Sequence, residues 1–254
     1  MPATLNIVGA GHVGRTLGRL FAAHGVFAVQ DVLTRSLDTS NAAVAFIGAG
    51  RAVAGLADLR PAAVWMLAVG DDQIASTCAA LAGAGLLQDA VVFHCSGAKA
   101  SSELQAPGAS TASVHPVRSF ADPEGVAAAF AGTWCGVEGD ARALALLTPA
   151  FEAIGARLVT IDAAAKTVYH AASVFAANYL VTVLDAALRA YVAAGVPEAV
   201  ARELARPLAS ESLANVFRLG PAAALSGPVA RGDLVTVARQ QAAVSHWDAP
   251  TGRL

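Results

Sequence analysis

A glycine-rich turn near the start of the chain constrains the fold more than any other feature of the sequence. A short apolar run, Leu5 to Val8, indicates a buried strand, and it ends in Gly9-Ala10-Gly11-His12-Val13-Gly14. The segment after the turn has apolar residues at helical spacing, at Val13, Leu17, Leu20 and Phe21. A strand, a G-x-G-x-x-G turn and a helix in this order form the context in which the turn binds a dinucleotide.

Each glycine of the turn has a physical role in such a site. Gly9 permits the tight turn, Gly11 lets the backbone approach a pyrophosphate, and Gly14 allows the helix to pack against the strand. The N-terminus of the helix offers free N–H groups and the positive end of its dipole to the phosphates. A glycine-rich turn in an unrelated α/β protein is the alternative. The predicted cofactor-binding residues of the turn are Gly9, Ala10, Gly11, His12, Val13 and Gly14.

The tip of the second predicted strand, which runs from Val26 to Thr34, favours NADP over NAD. An NAD site places an Asp or Glu, about 20 residues beyond the glycine turn, on the ribose 2′-hydroxyl. Here the strand ends in Thr34, Arg35 and Ser36, whose guanidinium and hydroxyls suit a 2′-phosphate. Asp31 is the nearest acid, and it falls inside the strand pattern. The alternative is an ordinary solvated arginine at a strand end.

Strands and helices alternate over the first 162 residues, and the strands are almost continuously apolar. This pattern predicts an α/β fold with a Rossmann-type parallel sheet and helices on both faces. From Ala163 no strand is convincing, so we place a domain boundary near Asp162, with an all-α domain over residues 163–254. The further predicted strands are Arg51–Val53, Ala62–Val69, Ala90–His94, Ala112–His115, Trp134–Val137 and Arg157–Ile161.

Polar turns follow three of these strands, and ligands of parallel sheets gather at such ends. The first turn, Val69-Gly70-Asp71, is predicted to contact the cofactor. The second, His94-Cys95-Ser96-Gly97, offers the Ser96 hydroxyl and free backbone N–H groups, which suit a carboxylate. The third brings His115 to a neighbouring strand end. Both histidines have the alternative of bonding only to backbone groups.

A polar stripe on the first helix of the predicted second domain is the best candidate for catalysis. Lys166, His170, Val174 and Asn178 follow one another at spacings of four and therefore share a helix face. A lysine in a cleft between two domains can protonate or stabilise the oxygen of a carbonyl under hydride attack. His170 could share that role or hold a substrate carboxylate, and Asn178 is suited to orienting the substrate. The alternative is a solvated Lys166 and a structural His170.

Near the C-terminus, Arg231 and Asp233 lie in a glycine-rich turn before a helix. Arg231 is a candidate clamp for an acidic group, and Asp233 is a candidate cap of that helix. A surface pair formed by these two residues is the alternative.

Composition limits the classes of partner. The chain has 254 residues, of which 56% are hydrophobic and 14% charged, and its net charge is −2, so nothing points to nucleic acid. No uninterrupted apolar run approaches the roughly 18 residues of a membrane span. The start of the chain lacks the pattern of a signal peptide. Cys78, Cys95 and Cys135 are too few and scattered for a disulfide framework or zinc site, which fits a cytoplasmic protein without a metal.

Taken together, these stretches resemble the Rossmann-like proteins that carry the domain of unknown function 2520, a branch of the 6-phosphogluconate dehydrogenase-like and ketopantoate reductase-like oxidoreductases. The resemblance covers nearly the whole chain and implies an NADP-dependent Rossmann domain, a helical C-terminal domain and a homodimer. Besides the turns at Gly9 and Arg35, the matching stretches are His94–Ala98, Val114–Pro116, Tyr169–Ser173 with Asn178, and Gly227–Asp233.

In such relatives a lysine on the first helix after the Rossmann domain, with a polar residue four positions on, serves the substrate. Lys166 and His170 match these positions, although His170 replaces the usual Asn. Ser96 and Gly97 match a serine–glycine turn that holds substrate. Gly70 departs from the family, which commonly has Pro there. The resemblance also implies a further long helix after Asp233, for which the sequence leaves little room.

We therefore expect an NADP-dependent oxidoreductase that transfers hydride between the nicotinamide and a small carbonyl compound, oxo acid or imine in the interdomain cleft. The expected partners are a small-molecule substrate and a second copy of the chain, without nucleic acid or membrane. The expected catalytic residues are Lys166, His170, Asn178 and Ser96. A non-catalytic NADP-binding sensor or scaffold is the alternative, and a sugar-nucleotide or phosphate-binding protein is a third possibility that leaves the polar stripe unexplained.

Overall fold

A computed structural model describes residues 1–253 and divides the chain into two compact units. The first unit is Met1–Ser173, and the second begins at Val174. The first unit contains an eight-stranded sheet in the order β3-β2-β1-β4-β5-β6-β7-β8. The strands are β1 (Ala3–Val8), β2 (Phe27–Leu33), β3 (Arg51–Val53), β4 (Val64–Leu67), β5 (Val91–His94), β6 (Ser110–Pro116), β7 (Trp134–Gly139) and β8 (Arg157–Thr160).

Six helices belong wholly or mainly to this unit. They are α1 (His12–Ala23), α2 (Leu37–Ile47), α3 (Ile74–Gly83), α4 (Pro123–Ala128), α5 (Ala141–Ala153) and α6 (Lys166–Val174). The predicted α/β fold class and each predicted strand are confirmed. One feature of the sheet differs from the prediction: β7 runs antiparallel to β6, whereas the other neighbouring strands are parallel. A buried apolar run has the same appearance in either direction, so the sequence could not show this reversal.

Both faces of the sheet are covered by apolar side chains. On one face, the Phe151 ring of α5 packs edge-to-face against Phe21 and Phe93, with ring centroids 5.3 and 5.9 Å apart. On the other face, Trp65 and Leu67 of β4 belong to a cluster with buried residues of α3 such as Leu81. This double coverage explains why the central strands are apolar throughout, and it leaves the strand ends as the place for polar side chains.

Asp31 lies in the sheet and is fully buried, where it anchors two arginines. Its carboxylate accepts hydrogen bonds from Arg51 Nε at 2.9 Å and from Arg60 Nη2 at 2.7 Å. Burial alone would raise the pKa of this carboxyl, but the hydrogen bonds from Arg60 and Arg51 outweigh it and lower the pKa to about 2. Asp31 therefore has a structural role, and its carboxylate is not available to bind a ribose hydroxyl.

This arrangement predicts acid-dependent stability. Because the folded-state pKa of Asp31 lies below its ordinary value of 3.8, its contribution is present above about pH 4 and is lost as the pH falls toward 2. Asp31→Asn should lower the free energy of unfolding by about 2 kcal/mol at neutral pH. Denaturant titration at pH 7 and at pH 3 tests this, with the exposed Glu152→Gln on α5 as control. An equal free energy for Asp31→Asn and the wild type at pH 7 contradicts it.

The second unit is helical throughout its described part, up to residue 253. It contains a π-helical turn (Phe175–Tyr179) followed by α7 (Leu180–Ala193), α8 (Glu198–Leu219), the short α9 (Pro221–Ala224) and α10 (Gly227–Ala230), and α11 (Leu234–Trp247). Helix α11 follows Asp233, where the resemblance implies a further helix. The sheet ends close to the predicted boundary at Asp162, but the first compact unit continues to Ser173, and within it Lys166 of α6 is buried.

The helical stretch Ala163–Ala193 is long and apolar enough to cross a membrane when judged by length and composition alone, with a mean hydropathy of 1.5. The sequence predicts no membrane span here, because Lys166, His170 and Asn178 interrupt the apolar run. Length and composition in a single helix are weak evidence, so this finding alone does not indicate a membrane protein.

Candidate cofactor and active site

The glycine turn after β1 has the backbone geometry that the sequence predicts. Gly9 has a φ of +83°, which favours glycine, and a Cβ added there would lie 2.6 Å from the Ala68 carbonyl carbon. A Cβ on Gly14 would meet the Gly9 carbonyl oxygen, so Gly14 allows α1 to start close to the strand. At Gly11 the space is open, with no atom within 4 Å of the Cβ position. The turn is thus tight at two glycines and open at the third.

A cavity of about 700 Å³ opens beside this turn, at the carboxyl ends of β1, β2 and β4. Its size is that of a small-molecule or cofactor site. Seven of the predicted cofactor-binding residues line it: Gly9, Ala10, Gly11, Thr34, Arg35, Val69 and Gly70. The predicted residues His12, Val13, Gly14, Ser36 and Asp71 are not among the lining residues.

Hydroxyl groups fix the corner between β2 and α2. Ser36 caps α2 by accepting a hydrogen bond from Thr39 N, and Thr34 N donates to Ser40 Oγ at 3.0 Å. Arg35 lies between these anchored residues with an exposed side chain, and it forms no ion pair within residues 1–253. The corner therefore holds the backbone of Arg35 in place and leaves its guanidinium free for an anion.

Arg15, on the first turn of α1, is a second basic residue of the same cavity. Its guanidinium carbon lies 5.8 Å from the centre of the Phe46 ring. Arg15 Nε is the one buried side-chain nitrogen or oxygen atom of the described chain that lacks a hydrogen-bond partner. An unpaired buried donor is costly, so an anionic ligand that fills the cavity beside Arg15 and Arg35 would satisfy it.

The turn after β5 is held by its own polar side chains. His94 is fully buried, its Nδ1 accepts from Ser96 N at 3.2 Å, and its Nε2 therefore carries the proton that bonds Ala100 O at 3.1 Å. Burial lowers the pKa of His94, which keeps the ring neutral. Ser96 Oγ accepts hydrogen bonds from the backbone N–H groups of Ala98 and Lys99. His94 thus has the backbone-bonded role that was the alternative in the sequence, and Ser96 shapes the turn.

Lys166 is buried at the start of α6, with 1% of its surface exposed. Its Nζ donates to Ser96 O at 2.9 Å and to Ser113 Oγ, and it lies 3.7 Å from Glu138 Oε1. The Glu138 carboxylate in turn accepts hydrogen bonds from Ser101 N and Ser101 Oγ, both at 2.7 Å. Burial lowers the pKa of Lys166, and the charge of Glu138 opposes that shift.

Three aromatic polar side chains meet above this buried network. His115, near the end of β6, has its Nδ1 3.0 Å from the Tyr169 hydroxyl oxygen, and its ring centroid is 5.9 Å from that of His170. Gly97 packs against both histidines, since a Cβ there would lie 2.8 Å from His115 Nε2 and would also meet His170. Gly136 of β7 leaves space for the Tyr169 hydroxyl in the same way.

Burial lowers the pKa of His115 to about 4, with further lowering by the charges of Lys166 and His170. Burial also raises the pKa of Tyr169. At neutral pH the pair therefore consists of a neutral imidazole and a protonated phenol, joined by a hydrogen bond. The charge of Asp71, which does not line the cavity, raises the pKa of His115 and so opposes these effects. The thiol of Cys95 is inert beside this group, because burial raises its pKa.

The remaining predicted site residues lie in the second unit. Asn178 is exposed and lies within the π-helical turn, where the four-residue spacing used in the prediction does not hold. Asp233 caps α11, since its carboxylate accepts from Thr236 N at 3.0 Å, as predicted. Arg231 is exposed and forms no ion pair with Asp233.

Several site residues escaped the sequence prediction. Arg15 had a detectable signal, because it directly follows the last glycine of the turn. Tyr169 lies in the stretch Tyr169–Ser173 that carries the resemblance, but nothing in the sequence indicated its contact with His115. Glu138 had no signal, since its partner Lys166 lies far away in the sequence and only the fold brings the two together.

The structure resembles several solved proteins. A Bacteroides fragilis protein proposed to be an NADP oxidoreductase matches with a TM-score of 0.82 and 18% identity, over 99% of this chain and 94% of that chain. Protein TM1727 from Thermotoga maritima matches with a TM-score of 0.75 and 27% identity, over 96% and 91%. Pyrroline carboxylate reductase from Plasmodium falciparum, solved with NADP bound, matches with a TM-score of 0.65 and 12% identity, over 99% and 94%.

No curated protein matches the chain in sequence. A family model does match: residues 133–251 correspond to the domain of unknown function DUF2520. Over these residues the match supports the resemblance inferred from the motifs, and the solved structures share the Rossmann-like α/β fold of the chain. Residues 133–251 therefore match the DUF2520 family model, in a chain with a Rossmann-like α/β fold.

Proposed function

We propose that the protein is an NADP(H)-dependent oxidoreductase that reduces a small carbonyl compound, oxo acid or imine. The observation that carries the proposal is the cavity at the glycine turn, which combines an open Gly11 with two basic residues, Arg15 and Arg35. A dinucleotide fits this donor set. The turn offers backbone N–H groups to the pyrophosphate, and the two guanidinium groups provide charge for the 2′-phosphate.

Once bound, the nicotinamide supplies or accepts a hydride, and the protein supplies position and charge. We assign the substrate to the same edge of the sheet, where the turn after β5 lies two strands from the glycine turn of β1. Among the predicted catalytic residues, Ser96 and His170 lie at this edge, and Lys166 lies buried behind it. The buried ammonium can stabilise negative charge that develops on a substrate oxygen or nitrogen.

A substrate panel tests the enzymatic part of the proposal. Purified protein with NADPH is offered small 2-oxo acids, ketones and cyclic imines, and the loss of NADPH absorbance is followed. Oxidation that depends on one class of compound supports a reductase. Tight NADPH binding without oxidation by any compound would instead support the sensor or scaffold.

We further propose that a second copy of the chain covers the helical unit. Within residues 174–253 only Ala186 and Ala201 are buried hydrophobic residues. Many large apolar side chains are exposed there, and a unit of this size needs a core to stay folded. A membrane would account for the stretch Ala163–Ala193 alone, whereas the charged helix α8 exposes apolar residues as well. The most exposed are Phe175, Val181, Val183, Leu208, Phe217, Leu225, Val229, Leu234 and Val235.

Light scattering on wild-type protein should therefore give a mass near twice the 25.5 kDa of one chain. The double variant Leu208→Glu with Phe217→Glu should shift the mass toward that of one chain, because two charges would be buried without partners. Leu37→Glu, at an exposed apolar position of the first unit, is the control and should keep the wild-type mass. A monomeric wild type at micromolar concentration contradicts the proposal.

A further inference from the structure

The lysine that the sequence singles out has little freedom to exchange a proton with a substrate. Lys166 Nζ donates to Ser96 O and Ser113 Oγ, and Glu138 lies within ion-pair distance. With 1% of its surface exposed, it could reach a ligand only by leaving these buried acceptors unpaired. The proton for the reduced product must therefore come from another group of the site.

The pair His115 and Tyr169 meets the requirements of such a group. Both side chains are only partly buried, and they are joined by the 3.0 Å contact between His115 Nδ1 and the Tyr169 hydroxyl. His115 Nε2 has no hydrogen-bond partner within residues 1–253. It is not a fully buried atom, so a ligand can reach it. It faces Gly97, in the turn that follows β5.

We propose that His115 and Tyr169 form the proton-donating pair of this reductase, with His115 Nε2–H as the group that meets the substrate. This inference rests on the proposed function. When the carbonyl carbon gains a hydride, the two electrons of the C=O π bond move to the oxygen. The oxygen takes the proton of His115 Nε2, and His115 Nδ1 takes the hydroxyl proton of Tyr169. Water then returns one proton to the Tyr169 phenolate, and the imidazole returns to its starting tautomer as its two nitrogens exchange protons with water.

The buried Lys166 supports this step through its charge. The positive charge of Lys166 lowers the pKa of His115, and the same charge stabilises a negative substrate oxygen beside His115. Gly97 contributes by its size, because a side chain there would occupy the space beside His115 Nε2 and against the His170 ring. The resulting site has a neutral donor at its surface and a fixed positive charge behind it.

Two conservative variants test the pair. Tyr169→Phe removes only the hydroxyl, and His115→Gln removes the group that can pass a proton from one nitrogen to the other. Each should lower kcat by about 100-fold on the panel compounds that the wild type reduces, since loss of a general acid has this order of effect. The Kd for NADPH should stay unchanged, because neither residue lines the cofactor cavity. The matched controls Tyr191→Phe and His24→Gln should keep the wild-type kcat.

A second measurement does not depend on turnover. Histidine-ring NMR of the NADP-loaded protein should show the His115 resonances shifting on addition of panel compounds, while those of the exposed His24 stay in place. A wild-type kcat in both variants overturns the proposal. So does the absence of both turnover and a His115 shift when NADPH binds normally. Failure of the wild type to bind NADPH is a different result, because it contradicts the proposed function itself.

Discussion

Gly11→Val should weaken NADPH binding by about 100-fold, or about 2.7 kcal/mol, without lowering the stability of the protein. The φ of Gly11 is −64°, which any residue adopts, and no atom lies within 4 Å of the position its Cβ would take. The folded chain therefore accepts a valine. The branched side chain would occupy the open space over the backbone N–H groups, where we place the pyrophosphate.

Gly9→Ala provides the matched contrast, because it combines a φ of +83° with a Cβ 2.6 Å from the Ala68 backbone. This variant should lose both stability and binding, whereas Gly11→Val should lose binding alone. Calorimetric titration with NADPH and thermal unfolding, measured on the same preparations, separate the two cases. An unaltered Kd in Gly11→Val would show that the open space at this turn is not the pyrophosphate site.

Arg35→Ala should lower the affinity for NADPH by about 30-fold and that for NADH by less than about threefold. The 2′-phosphate is the only group that distinguishes the two cofactors, and a charge-assisted hydrogen bond to it contributes about 2 kcal/mol. The hydroxyl network of Thr34 and Ser36 holds the backbone at this corner whether or not the guanidinium is present. The loss should therefore come from the missing charge and not from a displaced loop.

Arg19→Ala is the control for charge, since Arg19 lies on α1 but does not line the cavity. Its removal changes the net charge by the same amount and should leave the preference for NADPH unchanged. If Arg35→Ala lowered the affinities for NADPH and NADH equally, Arg35 would contact a group that both cofactors share. The proposed basis of NADP specificity would then be wrong.

The parts of the site that the sequence could predict are those built by neighbouring residues. Each of three features depends on a few consecutive positions: the glycine turn, the tip of β2 and the cap at Asp233. The residue types at these positions therefore predict the local geometry. Arg35 is an example, because its place just beyond β2 follows from the end of an apolar run.

The remaining parts depend on contacts between distant positions. Helical spacing correctly groups Lys166 with His170, but it does not show that Lys166 points to the strands beneath and bonds Ser96 and Ser113. The pairing of His115 with Tyr169 joins β6 to α6 and has no local pattern. The antiparallel direction of β7 could not be predicted for a similar reason, since strand direction depends on the path of the connections and not on composition.

Titration of NADPH and of NADH into the wild-type protein by calorimetry, at one salt concentration, tests the central claim most directly. We predict saturable binding of one NADPH per chain, with a lower Kd for NADPH than for NADH. Folded protein that takes up neither nucleotide would contradict the account.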